Sequence, residues 1–159
     1  RPARVTRVDA QPAQRRLAFE QFAQELAAHA HVQPVENLDR TVEFFAALGF
    51  SFNPKFTDEN ATCLVISEHI QVMLLTRPFF SGFTKKPVAD ARAATETLLA
   101  LSCESRDEVD ALVSKAVAAG AATPMESKDY GFMYQHGFED LDGHQWEVFW
   151  MDESAMPPA

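Results

Sequence analysis

Hydrophobic positions along the chain follow two periods that alternate. Apolar residues three or four positions apart predict two helices, one beginning at Leu38 and ending before Gly49, the other at Asp107–Ala119. In the first helix, Leu38, Val42, Phe45 and Leu48 form one apolar stripe. Each helix has a capping residue before it and a glycine after it: Asn37 and Gly49 for the first, Ser105 and Gly120 for the second.

Short apolar segments bounded by turn residues predict strands around these helices. In the first half of the chain they are Ala28–Val35, Ser51–Phe56, Ala61–Ser67 and Ile70–Thr76. In the second half they are Thr97–Cys103, Ala121–Glu126, Phe132–Phe138 and His144–Met151. The order of one strand, one helix and three strands therefore occurs twice, about seventy residues apart. Two such halves predict an α+β fold with helices on one face of the sheets.

This repeat sets the predicted domain boundaries. Residues 1–27 are an N-terminal extension, interpreted as a disordered leader followed by a helix at Pro12–Ala27 with Phe19, Phe22 and Leu26 on one face. Residues 28–152 form the domain, with modules at 28–76 and 97–152, and residues 153–159 are a tail. The connection Arg77–Ala94 is predicted to be long and irregular, and its Phe79, Phe80 and Phe83 fit a lid, an interface or loop core.

Composition and charge narrow the class of protein. The formal net charge is −9, which argues against nucleic acid as a partner because phosphate binding needs a clustered basic surface. No run of apolar residues is long enough for a transmembrane helix, and no secretory segment is recognisable, so we expect a cytoplasmic protein without a membrane partner. Cys63 and Cys103 lie among apolar residues and are predicted to be reduced.

Three motifs occur in a characteristic order. They are Pro34-Val35-Glu36-Asn37-Leu38-Asp39-Arg40 leading to Leu48-Gly49-Phe50, then Leu101-Ser102-Cys103 before the second helix, then the hairpin Phe138 to Val148. With them the chain resembles the vicinal oxygen chelate superfamily, which includes glyoxalase I, extradiol dioxygenases and bleomycin resistance proteins. Leu141 replaces the usual proline of the hairpin motif. The resemblance implies two βαβββ modules that form a cupped mixed sheet, with the helices on its outer face.

The resemblance also implies where a metal would bind. Metal-dependent members hold a divalent ion with four inward side chains, and these positions fall at Ala30, Leu74, Leu98 and Glu147. Only Glu147 can ligate a metal, so we expect no metal and no other cofactor. His29 and His31 flank Ala30, but a one-residue slip to bring either inward would flip the whole strand and leave both leucines unchanged.

Candidate site residues follow from the last strand. Its period of two places Gln145, Glu147, Phe149 and Met151 on one face and Trp146, Val148 and Trp150 on the other. The tryptophan face is expected to pack under helices, and the resemblance implies that the Glu147 face lines a cavity. Glu147 is the candidate catalytic residue, as a general base or a holder of a cation, or else a carboxylate with a structural partner. The candidate binding residues are Leu74, Leu98, Tyr134, His136, Gln145, Glu147 and Phe149.

Three classes of function remain open at this point. The first is a small-molecule-binding protein of the resistance type with a degenerate metal site. The second is a metal-dependent lyase, isomerase or dioxygenase of the glyoxalase type, and the third is a structural or regulatory protein. A homodimer is expected because related folds build cavities from two chains and because edge strands expose unpaired backbone groups. The sequence does not identify the ligand.

Overall fold

The computed structural model describes residues 30–156 of the chain. The predicted leader, the helix Pro12–Ala27, His29 and the end of the tail from Pro157 lie outside the described residues. The described residues divide into two compact units. The first unit contains the described residues up to Val42 together with Phe50–Val88, and the second contains Glu43–Gly49 and the residues from Ala89 onward.

The first unit contains one four-stranded mixed sheet in the order β1-β4-β3-β2. Its strands are β1 (Ala30–Val35), β2 (Ser51–Asn53), β3 (Ala61–Val65) and β4 (Gln71–Thr76). β1 runs parallel to β4, and the other neighbouring strands are antiparallel. Two helices in chain order are α1 (Leu38–Leu48), which continues from the first unit into the second, and the short α2 (Arg77–Ser81).

The second unit repeats this plan. Its sheet has the order β5-β8-β7-β6, with β5 parallel to β8 and the remaining pairs antiparallel. The elements are β5 (Leu98–Ser102), α3 (Arg106–Ala118), β6 (Lys128–Asp129), β7 (Met133–Glu139) and β8 (Gln145–Met151). The α+β class and the two βαβββ modules are therefore confirmed, with one open sheet in each module. None of the helices in residues 30–156 is both long and apolar enough to cross a membrane.

Helix ends follow the local signals in the sequence. The backbone N–H of Arg40 donates to Asn37 Oδ1 at 2.9 Å, and that of Glu108 donates to Ser105 Oγ at 3.1 Å. Gly49 has φ 102° and follows α1 directly, a left-handed conformation that glycine adopts without strain. Both predicted caps and this predicted stop are thus confirmed.

Two predicted strands are wrong: one is shorter than predicted, and the other is a loop. The strand predicted at Ser51–Phe56 ends at Asn53, because Asn53 Oδ1 accepts from the N–H of Lys55 and Pro54 starts a 3-10 turn. The strand predicted at Ala121–Glu126 is a loop with a single bridge from Ala122 to Glu139, and the edge strand β6 comes later. The irregular connection after β4 also begins with α2, which has Pro78 in its first turn.

The hairpin between β7 and β8 depends on Asp140. Its buried carboxylate accepts from the N–H groups of Asp142 and His144 and, at 2.9 Å, from the indole Nε1 of Trp146. Burial raises the pKa of Asp140, while nearby His144 and these hydrogen bonds oppose the rise. Asp140 thus holds the turn, and its bond to Trp146 joins the turn to the core.

The core of the second unit lies on the tryptophan face of its sheet. Trp146 and Val148 are fully buried, as the alternation of β8 predicts. Phe45 from the end of α1 meets Trp146 edge-on with ring centroids 5.1 Å apart, and Phe138 stacks on Trp146 from the neighbouring strand. Helix α3 packs on β7 and β8. The opposite face of this sheet carries Glu147.

Candidate ligand-binding site

Glu147 stands in the middle of a row of three residues across the second sheet. Its register partner on β5 is Ala100, and its partner on β7 is Gly137. Directly paired residues present their side chains on the same face. Because Gly137 has no side chain and Ala100 has only a methyl group, the carboxylate of Glu147 rises from a hollow in the sheet surface.

Gly137 is required by the close approach of two strands. A Cβ atom at this position would lie 2.7 Å from the carbonyl oxygen of Trp146, which is a backbone contact that no side-chain movement relieves. A glycine inside a strand often marks such an approach. The hollow beside Glu147 is therefore built into the packing of β7 against β8.

Gly137 and Glu147 of this row line an open groove of about 140 Å³, whereas Ala100 is not part of its lining. The loop after α3 forms one side of the groove, and the Glu147 face of the sheet forms the other. The lining residues of the loop and edge strand are Pro124, Met125, Glu126 and Lys128. Those of the central strands are Gln135, His136, Gly137, Phe138, Gln145, Trp146 and Glu147. All of them belong to the second unit.

Four polar side chains line the Glu147 face of the groove: Lys128, Gln135, Gln145 and Glu147. Gln135, Gln145 and Glu147 are each half-buried, and Lys128 pairs with Gln135 in the ladder. Within residues 30–156, none of these four side chains forms a hydrogen bond or an ion pair with another side chain. They are available to a ligand, which is the arrangement of a mostly apolar site with a few polar anchors.

The predicted site residues divide between the two faces of the second sheet. Leu98 and Phe149 share the face of Gln145 and Glu147, because Leu98 pairs with Gln145 in the parallel ladder. Leu98 is 54% exposed, so this part of the face is open to solvent. Neither Leu98 nor Phe149 lines the groove itself.

Tyr134 and His136 project from the other face. They pair with Trp150 and Val148 on β8, the residues of the helix-covered side. The hydroxyl of Tyr134 donates to Asp110 Oδ1 on α3 at 2.8 Å. Arg106 lies over the rings of Tyr134 and Trp150, so the aromatic pair fixes the start of α3 on the sheet. His136 borders the groove, and its Nδ1 accepts from the N–H of Gly137.

Leu74, the remaining predicted site residue, belongs to the first unit and is fully buried. It pairs with Gln33 on β1 and with Thr62 on β3. The residue of the first sheet that corresponds to Glu147 is instead Met73. Val32 and Ala100 lie the same number of residues before the N-caps Asn37 and Ser105, so they occupy equivalent positions. Met73 pairs with Val32 and Cys63, and Glu147 pairs with Ala100 and Gly137.

The Met73 face of the first sheet is a closed apolar cluster. Ala61, Cys63, Met73 and Leu75 are buried together, and four further side chains pack against them: Val32, Phe56, Phe79 and Phe80. Phe79 and Phe80 come from α2, which lies against β1 and β4. The two units have the same strand pairing, but the equivalent faces of their sheets differ. Aromatic side chains cover the Met73 face of the first sheet, whereas the Glu147 face of the second sheet is open.

The sheet register locates the positions that the resemblance assigns to metal ligands. Register places Met73 and Leu98 at positions equivalent to two ligands, and only Glu147 has a hard donor atom. Within residues 30–156, no group of three or more histidine, cysteine, aspartate or glutamate side chains is arranged to hold a metal. The groove lining contains two carboxylates, Glu126 and Glu147, rather than a ligand set.

Comparison with known proteins identifies the family. The model of the Glyoxalase/Bleomycin resistance protein/Dioxygenase superfamily matches residues 27–148, and the chain belongs to this superfamily. No curated protein sequence matches the chain.

Solved structures of similar proteins share the fold. A hypothetical protein from S. aureus is 24% identical, with a TM-score of 0.68 over 81% of this chain and 97% of its own. A glyoxalase-related enzyme from Fulvimarina pelagi is 17% identical, with a TM-score of 0.68 over 85% of this chain and 93% of its own. A glyoxalase/bleomycin resistance protein/dioxygenase family enzyme from Burkholderia phytofirmans PsJN is 15% identical, with a TM-score of 0.65 over 77% and 96%.

The covered face of the first sheet is testable through Cys63. Burial raises the pKa of this thiol to about 11, so at pH 8 only about one molecule in a thousand is the reactive thiolate. We expect iodoacetamide to modify Cys63 more slowly than the half-buried Cys103 in the native protein. Mass spectrometry of the alkylated peptides gives both rates.

Removing the aromatic cover should expose the thiol. The double variant Phe79→Ala/Phe80→Ala should alkylate faster at Cys63, by about tenfold for each 1.4 kcal/mol of local stability lost. Ile70→Ala is the matched control, because Ile70 belongs to the first unit, is exposed and lies outside the cluster. An unchanged Cys63 rate in a double variant that remains folded by circular dichroism would show that α2 does not cover this face.

Proposed function

We propose that this protein binds a small molecule in the groove beside Glu147, without a metal ion. The observation that carries the proposal is the hollow in the Ala100–Glu147–Gly137 row, in which a carboxylate lacks any side-chain partner among the described residues. The ligand is largely apolar and carries one donor or cationic group for Glu147. Met125 and Pro124 contact its apolar part.

Several features support binding rather than metal-assisted catalysis. The lyase and dioxygenase chemistries of this superfamily depend on a metal that polarises the substrate, and the residues at the ligand positions do not supply the donors. A half-buried carboxylate between two amides is well suited to orient a ligand. We therefore place this chain with the binding members of the superfamily rather than with its metal-dependent enzymes.

The groove is tested by mapping where small aromatic and amine fragments bind to the ¹⁵N-labelled full chain. We expect amide shifts to concentrate at Gly137, Gln145, Glu147 and Met125. Glu147→Gln should weaken fragments that carry a donor or a cation by about 1–3 kcal/mol, since a hydrogen bond to a charged group is lost. Shifts that concentrate instead on the Trp146 side and α3, or affinities that Glu147→Gln leaves unchanged, would exclude this site.

The absence of a metal is a second expectation. Protein purified without chelators should contain far less than one nickel, zinc, iron or manganese ion per chain by elemental analysis, because one carboxylate binds such ions weakly. Leu98→His adds one imidazole and should not create a stoichiometric site. About one ion per chain, lost on Glu147→Ala, would restore the metal-dependent enzyme as the better explanation.

We also propose that the protein is a homodimer. The open face of the second sheet presents Leu98 and Met151 to solvent, and β5 is an edge strand with unpaired backbone groups. Light scattering at micromolar concentration should give twice the chain mass of 17.7 kDa. Leu98→Asp should shift the equilibrium toward the monomer, and a monomeric wild-type mass would refute the proposal.

A further inference from the structure

The size of the hollow beside Glu147 limits what part of a ligand can enter it. Gly137 leaves the floor of the hollow flat, because it has no side chain beside Glu147. Apolar cavities of about 150 Å³ accept a ring the size of benzene, and the open groove has a volume of about 140 Å³. A single planar group therefore fits on the Gly137 floor, and the rest of a larger molecule must extend past Met125 into solvent.

The charges on this face favour a positive group. The charged side chains that the described residues place here are Glu126, Lys128, Glu139 and Glu147, three carboxylates against one ammonium for a net of −2. Glu139 pairs with Gln145, outside the groove lining, whereas Glu147 stands inside the hollow. A group on the Gly137 floor therefore lies beside a carboxylate that has no protein partner among the described residues.

Amide groups lie on either side of the carboxylate along β8 and β7. Gln145 lies two residues before Glu147 on β8, and Gln135 lies two residues before Gly137 on β7, so both amides are on the Glu147 face. A carboxylate flanked by amides can accept two parallel N–H bonds from a flat cation, and the amide oxygens can accept those that remain. A planar cation with two N–H groups side by side matches the two carboxylate oxygens better than a spherical ammonium group does.

Resting on the proposed binding function, we infer that the group held in the hollow is a planar nitrogen cation attached to a ring or to another apolar body. Amidinium, guanidinium and protonated amino-heterocycle groups belong to this class. The ring lies over Gly137, its N–H groups donate to Glu147, and Met125 covers its outer edge.

Two probes of equal shape test this inference on the ¹⁵N-labelled full chain. Benzamidine is a planar cation on a phenyl ring, and benzamide is its uncharged counterpart. We expect benzamidine to bind with shifts at Gly137 and Glu147 and about tenfold more tightly than benzamide, the effect of one charge-assisted pair in a solvent-open groove. Glu147→Gln should abolish the difference between the probes.

Glu139→Gln is the matched control. It removes one negative charge from the same face but from outside the groove, so it should retain most of the preference for benzamidine. If Glu139→Gln and Glu147→Gln reduce the preference equally, general surface charge explains it and the inference is wrong.

The two proposals fail in different ways. If both probes bind at Gly137 with equal affinity to the wild type, the inference about the cation is overturned and the groove remains the binding site. If neither probe shifts Gly137 or Glu147 at millimolar concentration, both the inference and the proposed groove are overturned.

Discussion

The indole of Trp146 fixes the arrangement on which the site depends. It is buried between Phe45 and Phe138, and its N–H group donates to the buried carboxylate of Asp140 in the adjoining turn. A one-residue slip of β8 would expose this ring and leave the Asp140 carboxylate without its partner, at a cost of several kcal/mol. Because strand side chains alternate, a buried Trp146 obliges Glu147 to stand on the opposite face, where the groove lies.

The same ladder serves opposite purposes in the two units. In the first, Met73 and Cys63 occupy the positions of Glu147 and Gly137, and Phe79 and Phe80 of α2 pack over them. In the second, the loop at Pro124 to Glu126 borders the equivalent face without filling it. A duplicated scaffold thus contains one apolar core and one open face.

Local signals in the sequence predicted much of the fold, since caps and glycine stops involve residues close together in the chain. The faces of strands were harder to predict because they depend on register between distant segments. The resemblance placed a ligand position at Leu74, whereas pairing with β1 and β3 gives Met73, one residue away and on the other face. Tyr134 and His136 were predicted as binding residues together with Glu147, but the sequence does not show which face of β7 meets α3.

Two features of the groove were not predicted from the sequence. The segment Ala121–Glu126 has the apolar content of a strand, and only its tertiary setting makes it the loop that borders the site. The sequence analysis did not single out Gly137, although a glycine within an apolar strand indicates that another backbone comes close. Its proximity to the carbonyl of Trp146 is what leaves room beside Glu147. The packing that buries the tryptophan therefore also creates the hollow, so a side chain at residue 137 would disturb both the core and the site.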